Sequence, residues 1–201
     1  MNQQTVDLYR AMSAQVSADS ITRWLKEMIA IPSENPMADE ARPGHREQEI
    51  GEYYLEQMCQ LGLTVGSREA APGRPNVFGT RAGRKDHPSL MLCGHLDTVP
   101  TEGYDEPYVP HERDGRIYGR GSCDMKAGLA CYLEVARLLQ NAEVTLSGSL
   151  ILCGVADEEW QMIGSREIGR NGPFADQCII GEPSELAVCP AHKGECGFFV
   201  R

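Results

Sequence analysis

The stretch SLMLCGHLDTVP, residues 89–100, is a run of apolar residues that ends in histidine and aspartate. The stretch GSLILCGVADEEW, residues 148–160, repeats this pattern, and DQCIIGEP, residues 176–183, repeats it again. Short apolar runs bounded by glycine, proline and polar residues predict buried strands. We therefore expect three strands that carry polar side chains at their carboxyl ends.

Helices are predicted around these strands, because apolar residues recur at every third or fourth position between them. The predicted helices run from Asp19, as N-cap, to about Ile29, from Glu47 to Leu61, from near Asp124 to Gln140, and from Ile163 to Arg170. We expect further strands at residues 63–69 and 76–81, and a long loop over residues 96–123. Alternating strands and helices predict an α/β fold with a largely parallel sheet, whose binding groups lie beyond the strands' carboxyl ends.

The composition narrows the class of protein. The chain has 201 residues, enough for one main core, and 19 basic against 29 acidic residues give a formal charge of -10. Because no run of Lys or Arg could neutralise phosphates, we expect neither nucleic acid nor a membrane surface as a partner.

No secretory signal or membrane-length apolar run occurs, so we expect the protein in the cytoplasm. The eight cysteines form no C-x-x-C pair, which predicts reduced, buried thiols.

The first candidate site residues are His95 and Asp97, which end the first apolar run. A neutral imidazole is a good zinc ligand, and a carboxylate two residues later could accept the proton of its other nitrogen and fix its orientation. The alternative interpretation of this spacing is a solvated strand end.

Asp124 is the second candidate, because it lies where the glycine-rich stretch GRGSCDMKAG turns into a helix. In isolation an aspartate at this place is more often an N-cap or first-turn residue. The stretch matches neither the dinucleotide-binding fingerprint nor the P-loop, and Asp124 would place a negative charge where a phosphate binds.

Acidic residues follow the other two strands. Asp157, Glu158 and Glu159 follow the second apolar run, and Glu182 follows the third. Clustered carboxylates resist ionisation unless a positive charge lies among them, and a divalent cation supplies that charge. One glutamate could bind a metal while its neighbour holds a water, although an exposed acidic loop is an alternative interpretation. Nitrogen and oxygen ligands without sulfur suit Zn²⁺, Co²⁺ or Mn²⁺.

In their order and spacing, GHLDTVP, GRGSCDMKAG, DEE and GEP resemble the motifs of the zinc-dependent M20 peptidases over roughly residues 20–200. This resemblance implies a three-layer αβα catalytic domain with a mostly parallel, mixed sheet, and one or two zinc ions. It implies that His95 and Glu182 bind one metal, that Asp124 bridges both, and that Glu159 binds the second. Glu158 would be the general base, and Asp97 would orient His95.

The resemblance also implies a domain division. Residues 1–188 would form the N-terminal part of the catalytic domain, and residues 189–201 would begin an inserted lid or dimerisation domain. A histidine for the second metal would follow that domain, and His192 does not match its position. We therefore expect a fragment that binds at most one metal tightly, through His95, Asp124 and Glu182, and that hydrolyses substrate poorly. The full protein would form a homodimer through the lid domain.

The expected function is hydrolysis of an amide bond in a small N-acyl amino acid or peptide, of the acetylornithine deacetylase type. A carboxypeptidase or dipeptidase of the same family is an alternative. An alternative of another class is a truncated binding protein that has lost the reaction. A cysteine hydrolase built on Cys123 is the least favoured interpretation, because the acidic surroundings disfavour a thiolate.

Overall fold

A mixed five-stranded sheet forms the centre of the computed structural model, which describes residues 3–37 and 47–191. The helices are α1 (Gln3–Ser13), α2 (Ala18–Ile29), α3 (Glu47–Gln60), α4 (Lys126–Asn141) and α5 (Ile163–Asn171). The strands are β1 (Thr64–Ala71), β2 (Arg74–Arg81), β3 (Leu90–His95), β4 (His111–Arg113), β5 (Arg116–Tyr118), β6 (Leu150–Val155) and β7 (Gln177–Ile180).

The strand order in the large sheet is β1-β2-β6-β3-β7. Strand β3 pairs in parallel with both β6 and β7, whereas the hairpin β1-β2 is antiparallel and joins β6 in the antiparallel sense. The α/β class and the mixed sheet are therefore confirmed. The parallel pairing in this sheet is confined to β3, β6 and β7, the three strands that the repeated apolar pattern predicted.

Helices α2, α3 and α4 cover one face of the sheet. The spacing that predicted α3 is confirmed by its contacts, because Ile50, Tyr54 and Met58 are all fully buried against the sheet. Leu129 and Leu133 of α4 are buried in the same cluster. These side chains form the larger core, which holds α4 and the end of β3 in fixed positions.

The opposite face is covered by α5. Met91, Ile151, Cys153 and Val155 are buried there, and Ile168 of α5 packs against them. Strand β6 lies between two neighbouring strands and under helices on both sides, which explains why each of its residues is buried. Helices on both faces give the three layers expected for this fold.

Some local predictions were wrong. Ser17, not Asp19, is the N-cap of α2, because its side chain accepts a hydrogen bond from the Ser20 amide. Helix α4 begins at Lys126, two residues after Asp124, which agrees with the predicted start near Asp124. The expected loop over residues 96–123 contains the short hairpin of β4 and β5.

The cysteine prediction is only partly right. The cysteines among the described residues are free, but Cys153 alone of them is buried. Cys196, His192 and all but the first three residues of the predicted lid segment lie outside the described residues. In residues 3–37 and 47–191, no helix has the length and apolar character that crossing a membrane requires.

Candidate metal centre

The candidate site lies where the three parallel strands end. His95 is the last residue of β3 and is in register with Val155, the last residue of β6. The Gly181 amide donates to the Cys93 carbonyl and carries the β7 pairing to the residue before Glu182. The sheet thus brings together three of the four chain segments in which sequence analysis placed candidate ligands, and Asp124, just before α4, is in the fourth.

His95 is 1% exposed and its ring is held from both sides. Nδ1 lies 2.8 Å from the backbone carbonyl oxygen of Asp97, which can only accept, so this nitrogen carries a proton. Nε2 faces the acidic groups and lies 2.9 Å from Asp124 Oδ1. The Asp97 carboxylate is farther from the ring than the Asp97 backbone carbonyl, because its Oδ1 lies 3.6 Å from Nδ1.

Three predicted ligands converge. His95, Asp124 and Glu159 each place one ligand atom within 4.8 Å of the others. Glu182 lies beside them, with Oε1 3.7 Å from His95 Nε2. The side chain of Asp124 is 53% exposed, and helix α4 has no side-chain cap, so Asp124 faces the site and does not cap the helix.

The Asp97 carboxylate holds the turn that carries the glutamates. It accepts hydrogen bonds from the backbone amides of Glu158, at 3.0 Å, and Glu159, at 3.1 Å. Asp97 is fully buried, so these contacts replace its lost hydration. The residue therefore fixes the β6 turn as well as lying against His95.

Asp157 has a different role from its two neighbours. It adopts φ +62°, a left-handed conformation that aspartate tolerates better than most residues, and its side chain turns into the protein. Its Oδ2 accepts from the amides of Gln161 and Ile163, and its Oδ1 accepts from Arg74 Nη2 at 2.7 Å. Asp157 thus stabilises the turn and does not belong to the cluster of His95, Asp124 and Glu159.

The electrostatics show the crowding of negative charge that the sequence predicted. Burial, with repulsion from neighbouring carboxylates, raises the pKa of Glu159 and of Glu182 to about 7. The same causes raise the pKa of Glu158. Burial alone would lower the pKa of His95, but the Asp124 and Asp97 carboxylates raise it to about 11. This group of side chains therefore favours a positive charge at its centre.

The donor set fits a divalent cation. One imidazole nitrogen and carboxylate oxygens from separate segments face a common region, and the carboxylates there resist ionisation without a positive neighbour. Nitrogen and oxygen ligands suit Zn²⁺, Co²⁺ and Mn²⁺. Cys123 is exposed, and both ring nitrogens of His95 are occupied by Asp97 and Asp124, so this histidine does not activate the thiol.

Sequence reasoning missed the residues that hold the site from behind. Asn35, Glu47 and Arg74 are distant in the chain and lie outside the four motifs. Arg74 donates to both Glu47 and Asp157, and Asn35 donates to Asp97 and Asp157. The only sequence signal for Asn35 is a polar residue between two prolines in IPSENP, and Arg74 and Glu47 carry no such signal.

Comparisons with known proteins point to one peptidase family. A sequence profile described as peptidase family M20/M25/M40 matches residues 91–191. An acetylornithine deacetylase from Vibrio campbellii is 37% identical over 145 residues, which cover 70% of this chain and 37% of that protein. The N-formyl-4-amino-5-aminomethyl-2-methylpyrimidine deformylase of Bacillus subtilis is 32% identical, over 74% of this chain and 36% of that protein.

A solved structure agrees with these relatives. A tripeptidase from Staphylococcus aureus superposes with a TM-score of 0.66 and 27% identity, and the match covers 82% of this chain and 43% of that one. The chain thus spans less than half the length of these relatives.

Proposed function

The chain belongs to peptidase family M20/M25/M40, and on that premise we propose that it forms the metal-binding part of a hydrolase that cleaves an amide bond in a small N-acyl amino acid or peptide. The convergence of His95, Asp124 and Glu159 within 4.8 Å carries the proposal. The position of Glu158 beside this cluster supports it, because an amide hydrolase needs a base next to its activated water.

The metal ligands in this proposal are His95, Asp124, Glu159 and Glu182. Zn²⁺ is the proposed ion, with Co²⁺ or Mn²⁺ as alternatives, and Asp124 would be the ligand shared between two ions. When bound, the cation lowers the pKa of a coordinated water and polarises the amide carbonyl. Asp97 holds His95 and the glutamate turn in place while the reaction proceeds.

Glu158 is the proposed general base. Its backbone amide donates to Asp97, and the pKa of its carboxyl is raised by burial and by the nearby Asp97, Asp124 and Asp157 carboxylates. A base with a raised pKa takes a proton from water more effectively and can then pass it to the leaving amine.

The relatives support the proposed substrate class. The 37% identity to an acetylornithine deacetylase favours an N-acyl amino acid. The likeness to a tripeptidase supports the second candidate, a carboxypeptidase or dipeptidase.

The remaining parts of the proposal concern the whole protein. We propose that a lid or dimerisation domain begins near residue 189, that a later histidine completes the second metal site, and that the protein dimerises through that domain. The 201-residue chain alone should then turn over substrate slowly. The free thiols among the described cysteines support the cytoplasm as the compartment, since such thiols are typical of reducing environments.

The test is hydrolysis of N-acetylornithine, an N-formyl aminomethylpyrimidine and a tripeptide by the 201-residue chain and by the full product of its gene. In the active form, Glu158→Gln should lower kcat by about 10²–10⁴-fold with little change in KM, because it removes the base and keeps the shape. Glu56→Gln, the same change on the exposed face of α3, should have no effect. Full activity of Glu158→Gln, or no hydrolysis by the full gene product, would contradict the proposal, and the second result would favour a binding protein.

A further inference from the structure

Asn35 lies in a short segment that runs beside the end of β3. Its backbone amide donates to the Thr98 carbonyl at 2.8 Å, and the Thr98 amide donates to the Ser33 carbonyl at 2.9 Å. Glu34 and Thr98 form a parallel bridge between the two segments. Asn35 is fully buried as a result.

The side chain of Asn35 joins two buried carboxylates. Its Nδ2 donates to Asp97 Oδ2 at 2.7 Å and to Asp157 Oδ1 at 3.0 Å, and its Oδ1 accepts from the Met37 amide at 2.8 Å. Both protons of the amide nitrogen are therefore used. A neutral donor between two carboxylates stabilises a pair of like charges that would otherwise repel each other.

These two carboxylates control different parts of the metal centre. Asp97 lies just beyond β3, against the His95 ring, and holds the amides of Glu158 and Glu159. Asp157 begins the turn after β6 that carries the same two glutamates. Asn35 thus connects the strand that ends in the histidine with the strand that leads to the glutamates.

The segment that carries Asn35 is also tied to the Asp124 side of the site. Lys126, two residues after Asp124, is fully buried, and its Nζ donates to the carbonyls of Met28, at 2.9 Å, and Ile31, at 3.0 Å. Met28 lies in the last turn of α2 and Ile31 lies two residues after its end, so the Lys126 ammonium binds carbonyls at the carboxyl end of this helix. The position of Asn35 is therefore fixed relative to the segments that carry His95, Asp124 and Glu159.

We propose that Asn35 is a positioning residue of the metal centre, which sets the places of Glu158 and Glu159 relative to His95 by bridging Asp97 and Asp157. This role for Asn35 rests on the proposed metal-dependent function. The hydrogen bonds from Asn35 to Asp97 and Asp157 are present without a metal ion. Partners of this kind around metal ligands change metal affinity by about 10–100-fold when they are removed.

The test compares Asn35→Ala with Asn76→Ala. Asn76 is a matched control, because it is also fully buried and makes hydrogen bonds to Gly164, Glu167 and the Ala156 amide, but does not bond to Asp97. In the metal-free chain, NMR should show shifted amide signals and faster hydrogen exchange for Glu158 and Glu159 in Asn35→Ala. Titration with Co²⁺, followed by its visible absorption, should show affinity lowered by about 10–100-fold in that variant and by much less in Asn76→Ala.

Unchanged Glu158 and Glu159 amides, or an equal loss of Co²⁺ affinity in both variants, would overturn the proposal. If Asn35→Ala does not fold, Asn35→Ser replaces it, since the hydroxyl keeps one donor, and the same amide shifts and a several-fold loss of Co²⁺ affinity are expected. The NMR readout needs neither metal nor turnover. Failure of the Glu158→Gln prediction would therefore overturn the hydrolase proposal. The proposal for Asn35 would still be decided by the NMR measurement.

Discussion

At the scale of single residues, two buried carboxylates behind the candidate metal centre share one arginine as their cationic partner. Glu47 is fully buried and Asp157 is 1% exposed, and Arg74 contacts both carboxylates. The Asp157 amide also donates to Glu47. A buried ion pair adds little net stability, but loss of one partner is costly because the other charge stays buried.

We predict that Arg74→Met destabilises the protein by about 3–5 kcal/mol, because it leaves two carboxylates without their cation. Urea unfolding measures this change. Arg68→Met is the matched control, since Arg68 pairs with Glu167 at the surface with 40% of its side chain exposed, and should cost about 1 kcal/mol or less. Equal losses in the two variants would show that Arg74 is not the central charge of this network.

The residues that sequence reasoning found and missed differ in a physical way. His95, Glu159 and Glu182 were found because each follows an apolar strand, and a polar residue at that place stands out. Asn35 and Arg74 were missed because their roles depend on contacts with residues 27 to 122 positions away in the chain. The metal-ligand roles given to His95, Asp124, Glu159 and Glu182, like the roles given to Glu158 and Asp97, stay predictions. The structure adds that the Asp97 carboxylate accepts hydrogen bonds from the amides of Glu158 and Glu159.

At the scale of elements, strand β7 is attached to the sheet partly through an exposed cluster at its beginning. Asp176 Oδ2 lies 2.7 Å from His87 Nδ1 and accepts from both the amide and the hydroxyl of Ser89. These contacts lower the pKa of Asp176 to about 2, with His87 as the largest cause, followed by Ser89. Asp176 in turn raises the pKa of His87.

We predict that the attachment of β7 weakens at both ends of the pH range. The Asp176 contribution is complete above its ordinary pKa of 3.8 and is lost as pH falls through about 2. The His87 contribution is complete below its ordinary pKa of 6.5 and is lost as pH rises through its raised value. The protection of the Gln177 and Ile179 amides from hydrogen exchange measures both losses, because these amides face β3, and Asp176→Asn should abolish the pH dependence of that protection. A pH dependence that persists in the variant would contradict the assignment.

Long elements were predictable and short ones were not. Helix α3 and the buried face of α4 follow from apolar spacing, because a helix of that length repeats its pattern several times. Strands β4 and β5 have three residues each, which is too short for a pattern, so the prediction gave a loop. Asp19 is a good N-cap residue by type, but Ser17 stands two positions earlier and takes the role.

At the scale of the whole molecule, the sheet places ligands from distant segments at one edge. The pairing of β3 with both β6 and β7 aligns the carboxyl ends of all three strands. Sequence alone indicated that such strands exist, but not that β6 lies between β2 and β3, because strand order depends on packing between distant segments. Ile179 and Ile180 of β7 are more than half exposed, which agrees with the proposal that further segments of a longer protein pack there.

Metal binding by the 201-residue chain shows whether His95, Asp124 and Glu159 form a metal site. After treatment with a chelator, the chain should bind one Co²⁺ or Zn²⁺ ion in a calorimetric titration, and His95→Gln should abolish that binding. The control is His87→Gln, a change at the exposed histidine that pairs with Asp176, and it should leave metal binding unchanged. The account would be contradicted if the chain bound no ion, or if His95→Gln bound it as tightly as the unaltered chain.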